Sequence, residues 1–76
     1  MTLEKLLDIL RGIHPEIDFE TCATLIDDSV LDSFDIVTII AEVNEHFDIA
    51  ITANEIIPEN FNSAQALYAL IERLAD

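Results

Sequence analysis

The chain has 76 residues and a mass of 8.5 kDa, room for a single small domain with one core. It carries 3 Lys+Arg against 16 Asp+Glu, a formal net charge of -13, which nearly excludes nucleic-acid binding through phosphate contacts and opposes binding to an anionic membrane surface. Leu, Ile, Val and Phe make up 28 of the 76 residues, far above the roughly 20% below which composition implies disorder, so the chain reads as a folded module with an acidic surface suited to partners that present Lys and Arg.

Leu3, Leu6, Leu7, Leu10 and Ile13 recur at three- and four-residue spacing and predict a first helix with one apolar stripe. Thr2 is placed to cap its start, Gly12 to occupy the position just past its end, and Pro15 follows. From Ile13 to Asp32 no period holds. A structureless loop of that length is uncommon in a small domain. Ile17, Phe19, Leu25, Ile26, Val30 and Leu31 are therefore expected to order it by dipping into the core, with a short turn of helix near Cys22 to Leu25.

A second helix is predicted from about Asp32 or Ser33 to Phe47. At about 100° per residue, Ile36, Ile39, Ile40, Val43 and Phe47 share one side and form its core face. Phe34, Val37 and Ala41 fall on the opposite side, beside Thr38 and Glu45. A surface helix in an isolated monomer needs no such second stripe, and exposed apolar residues rimmed by acids suggest a docking surface. The competing reading, that the long loop or the third helix covers them, stays open at this stage.

Asp48 to Ile51 reads as an extended connector. Thr52-Ala53-Asn54-Glu55 fits a capping box that starts a short helix, which Pro58 would end or interrupt. Asn62 or Ser63 can cap the last helix, with Gln65 three residues after Asn62 and Leu67, Leu70, Ile71 and Leu74 as its buried stripe. The expected fold is all-α: three longer helices, one short third helix and a long first loop, in one domain over residues 1–76.

Little in the sequence points to intrinsic chemistry. His14, His46 and Cys22 are the only soft metal ligands, and no two have ligand spacing. Both histidines read as ordinary helix-end or surface residues. Asp27, Asp28 and Asp32 lack the alternating acids, central Gly and terminal Glu of a calcium loop. A small helical domain has little volume for a catalytic cleft, and no glycine-rich loop cradles a phosphate. The single cysteine cannot form an internal disulfide. No apolar run approaches the ~18 residues of a membrane span, and the start of the chain lacks a signal-peptide pattern. The expectation is a non-catalytic, monomeric, cytoplasmic protein without a metal.

Ser33 is the exception. It stands in Val30-Leu31-Asp32-Ser33-Phe34-Asp35, where the loop meets the second helix. Read alone, Asp-Ser before an apolar helix is a cap. At the exposed start of a helix with an apolar outer face, on a domain with no catalytic apparatus, it is a serine for other enzymes to act upon.

At these residues the chain resembles the acyl and peptidyl carrier proteins, whose signature is Asp-Ser-Leu at the start of the second helix of a four-helix bundle. Here it reads Asp32-Ser33-Phe34. The resemblance continues through Asp35-Ile36-Val37 and Glu45-His46-Phe47-Asp48-Ile49, then Ile51-Thr52 and Phe61-Asn62-Ser63-Ala64. Fatty-acid carriers usually have Gly three residues before the serine and Leu after it; Val30 and Phe34 stand there instead. The Leu-Asp-Ser-Phe form resembles D-alanyl carrier proteins and other dedicated carriers.

The resemblance implies that Ser33 carries 4′-phosphopantetheine as a phosphoprotein, its thiol holding cargo as a thioester, with Asp32 supporting attachment. It implies as partners a phosphopantetheinyl transferase, an acyl or aminoacyl ligase and a downstream acyltransferase or synthase. Asp35 and Glu45, with Glu42, would steer basic patches on these enzymes, and Phe34, Val37 and Ala41 would supply apolar contact. Small interfaces with fast, salt-sensitive association suit a shuttle. The alternatives are a fatty-acid or polyketide carrier, or an unmodified acidic helical adaptor in which Ser33 is only a cap.

Overall fold

A computed structural model of the chain describes residues 2–75, which contain four α-helices and no strand. Helix α1 spans Leu3–Ile13, α2 Ser33–Phe47, α3 Pro58–Phe61 and α4 Ala64–Ala75. A 3₁₀ turn at Ala53–Glu55 precedes α3. Helix α1 packs against both α2 and α4, and α3 packs against α4. None of these helices is long and apolar enough to cross a membrane.

The predicted stripes meet in one core. Leu6, Leu7 and Leu10 from α1 pack with Ile39 and Val43 from α2 and Leu67, Leu70 and Ile71 from α4. Ile36, Ile40, Phe47 and Leu74 lie partly buried around them. The first loop joins in through Phe19, Leu25 and Leu31, all buried, while Val30 stays exposed. No polar or charged residue is buried among the described residues, so burial of apolar area is the main force for assembly.

Several local expectations are corrected. Gly12 lies inside α1, not beyond it; His14 is the C-cap, its amide donating to the Leu10 carbonyl. The loop forms no helix at Cys22 to Leu25: Cys22 and Thr24 are irregular, Ala23 is a bend, and turns run from Leu25 to Ser29. There the Asp28 amide donates to the Thr24 carbonyl and the Leu31 amide to that of Leu25. Thr52 makes no side-chain cap; its hydroxyl donates to Asn54 Oδ1. The Glu55 carboxylate turns instead to Arg73, 3.5 Å away. The reason is Pro58. Its ring disfavours helical backbone at the preceding residue, and Ile57 is extended (φ -125, ψ 154). Pro58 therefore opens α3 as its first residue, where its missing N–H costs nothing.

At the start of α4 the cap is Ser63, whose hydroxyl accepts from the Ala66 amide at 3.0 Å. Asn62 does other work. Its Oδ1 accepts from the Ile26 and Asp27 amides, both at 3.0 Å, and its carbonyl accepts from the Leu25 amide at 2.9 Å. Gln65, expected to complete the cap, donates instead to the Glu20 carbonyl at 3.2 Å. Asn62 and Gln65 thus fasten the long loop to the α3–α4 corner, on the approach to Ser33.

Candidate functional site

The start of α2 is fixed by a reciprocal cap. Asp32, in extended backbone, accepts the Asp35 amide at 2.9 Å on Oδ1. Asp35 accepts the Asp32 amide at 3.1 Å on Oδ2. Two donors that every helix start leaves free are thereby satisfied. Ser33 is the first helical residue, exposed, and its hydroxyl takes no part in this cap. The Thr38 hydroxyl, donating to the Phe34 carbonyl at 2.9 Å, braces the same turn one step on.

The division of labour matters. A capping serine would have its oxygen committed to a backbone amide. Because Asp32 caps, the Ser33 hydroxyl remains available at the surface. The backbone amides of Ser33 and Phe34, which no bond within the described residues engages, sit at the positive end of the helix dipole. An anion attached to the serine oxygen would be favoured there, with the Asp32 carboxylate opposing it. The residues present fit a phosphodiester on Ser33.

The outer face of α2 is open. Phe34 is 82% exposed and Val37 65%, and Ala41 and Glu45 are exposed as well. Neither the loop nor α3 covers Phe34 and Val37. Glu42 pairs with His46 at 3.3 Å, whereas Glu45 has no ion pair among those found in the described residues.

Asp35 does not belong to that face. Its side chain is only 19% exposed and contacts the ring of His14, which reaches across from the end of α1. His14 holds the Asp35 carboxyl below the usual carboxylate range, aided by the Asp32 amide. Asp35 in turn, with Glu16, holds the His14 imidazole above its ordinary value of 6.5. The sequence reading grouped Asp35 with the steering charges; in the structure its side chain is engaged by His14 at the helix junction. His14, read in the sequence as a helix-end or surface residue, caps the end of α1, and its contact with Asp35, 21 positions away, leaves no local pattern.

Beyond the start of α2, Ile26, Ile36, Ile56, Ile57, Pro58 and Phe61 line an apolar cleft of about 230 Å³. Ile56 and Ile57 are more than 40% exposed. They follow no helical or strand period, which is why the sequence did not single them out. Among the described residues no group of three His, Cys, Asp or Glu side chains could hold a metal ion.

Among known families, the model described as a phosphopantetheine attachment site matches residues 3–71. Comparison with curated proteins returns no match.

Proposed function

We propose, from the fact that this chain belongs to the phosphopantetheine-attachment family of carrier proteins, that Ser33 is its attachment point. The family carries 4′-phosphopantetheine covalently on a serine, and its carrier domains are generally non-catalytic. The observation that carries the assignment is the exposed Ser33 hydroxyl, released from capping by Asp32. The other described serines fit less well. Ser63 is committed as a cap, and Ser29 lies in a turn at φ 55, outside any helix start.

When bound, the arm supplies a thiol that holds cargo as a thioester. The protein's own residues provide the rest. The Ser33 and Phe34 amides and the dipole of α2 favour the phosphodiester charge. Asp32 fixes the backbone of the turn and, by family resemblance, helps hold the Mg²⁺ of the transferase. Phe34, Val37 and Ala41 offer apolar contact to a partner enzyme, and Glu45 offers charge to its Lys and Arg. The partners on this reading are a phosphopantetheinyl transferase, an acyl or aminoacyl ligase and a downstream acyltransferase or synthase.

For cargo we favour a small aminoacyl or short acyl group. The cleft of about 230 Å³ is below the roughly 300–1,000 Å³ of typical ligand pockets, and Phe34 and Val30 follow the dedicated-carrier form. A fatty-acid or polyketide carrier is the second reading, favoured by the wholly apolar side chains of that cleft. Loading of the phosphopantetheinylated protein by an amino-acid ligase and by a long-chain acyl ligase, followed by intact mass, separates them. The expected result is efficient aminoacyl loading and poor loading with long chains. Preferential long-chain loading would reverse the cargo assignment while leaving Ser33 in place.

A further inference from the structure

The geometry points to His14 as a proton-controlled clasp that positions the first turn of α2, and with it Ser33. His14 ends α1. Its Nδ1 lies 2.7 Å from Glu16 Oε1, and its Nε2 contacts Asp35 Oδ1. Ionised carboxylates only accept hydrogen bonds, so both ring nitrogens must donate, and only the imidazolium can do so. A neutral ring would set a lone pair against one of the two carboxylates.

Asp35 transmits the state of the ring. One of its oxygens faces His14, the other accepts the Asp32 amide, and its own amide donates to Asp32. The turn from Asp32 to Asp35, which contains Ser33, is thus tied to α1 through one side chain. The charges that face the ring are Glu16 from the loop and Asp35 from α2, with Asp32 behind Asp35. From α1 itself, Arg11 points to Asp8 and Glu20 instead. The His14 side chain is 26% exposed, so the contacts are partly shielded from solvent while the proton can still exchange.

The sign follows from the direction of each group. His14 is raised, so its contribution is complete below 6.5 and is lost as pH climbs through its folded value. Asp35 and Glu16 are lowered, from 3.8 and 4.5, so theirs is complete above those values and is lost as pH falls through the depressed ones. The clasp is whole between about 4.5 and 6.5 and opens on the alkaline side, as pH climbs through the raised His14 value. It does not depend on the arm.

The test is an NMR titration of the unmodified protein, with His14→Gln to assign the ring signal. Alongside it, amide exchange is measured at Asp35 and Ile36, corrected for intrinsic rate. We expect His14 to titrate above 6.5, Asp35→Asn to move that midpoint down, and protection at both amides to fall several-fold with the same midpoint. In His14→Gln, protection should lose this pH dependence. Titration at or below 6.5, an unmoved midpoint in Asp35→Asn, or protection that stays flat through the titration would each overturn the clasp. The wild-type titration and exchange alone decide the matter if either variant fails to fold.

Discussion

Asn62 shows how one polar side chain can hold a loop that has no secondary structure. Its amide oxygen satisfies two loop amides, its nitrogen reaches Asp27 Oδ2 at 3.2 Å, and its carbonyl satisfies a third amide, that of Leu25. Replacing it with Ala leaves the Ile26 and Asp27 amides without that acceptor, which costs on the order of 1–3 kcal/mol. Urea unfolding of Asn62→Ala should show a loss in that range. A loss no larger than about 0.5 kcal/mol, ordinary for a surface change, would mean that Phe19, Leu25 and Leu31 hold the loop unaided. Asn62 was read in the sequence as one of two possible helix caps. Its spacing from the helix allowed that reading, and a bond to residues 35 and 36 positions away leaves no trace in local pattern.

At the scale of elements, the longer helices were legible because each displays a periodic stripe. Leu6, Leu7 and Leu10, then Ile39 and Val43, then Leu67, Leu70 and Ile71 are buried where the periodicity places them. The second stripe of α2 was legible for the same reason, and Phe34 and Val37 are exposed. The connectors were not. Thr52 to Glu55 satisfies a capping rule, but the conformation that Pro58 imposes on Ile57 stops a helix from running on. Gly12 carries a C-terminal signal, yet its backbone is not left-handed and α1 runs through it to Ile13, with the His14 amide donating to the Leu10 carbonyl. Pro58 is itself a local signal, whereas the bonds of Asn62 and Gln65 to the loop join residues 35 to 45 positions apart and leave no local pattern. Ser33 stands out in the sequence through its motif, whereas its freedom from capping, supplied by the Asp32–Asp35 pair, was visible only in three dimensions.

For the whole molecule, charge is the dominant feature. The Lys and Arg side chains are engaged internally. Lys5 donates to the His46 carbonyl at 3.2 Å and lies 5.3 Å from the Phe47 ring centroid. Arg11 pairs with Asp8 and Glu20, and Arg73 with Glu55. With 16 acids and a net charge of -13, the field outside is acidic and long-ranged at low salt. A transferase with a basic face should therefore capture the protein by steering. Its kcat/KM should fall roughly tenfold or more between about 20 mM and about 0.5 M salt. A rate constant indifferent to salt would remove electrostatic steering from the account and leave the apolar stripe of α2 as the recognition element.

The central claim concerns one oxygen atom, Oγ of Ser33, and intact mass tests it most directly. The protein and Ser33→Ala are incubated with coenzyme A, Mg²⁺ and a phosphopantetheinyl transferase of broad specificity. The account predicts that the wild type gains the mass of one phosphopantetheine, that Ser33→Ala gains none, and that both remain folded because Asp32 still caps α2. A folded wild type left unmodified by several transferases, or a Ser33→Ala protein that gains the same mass, would contradict it.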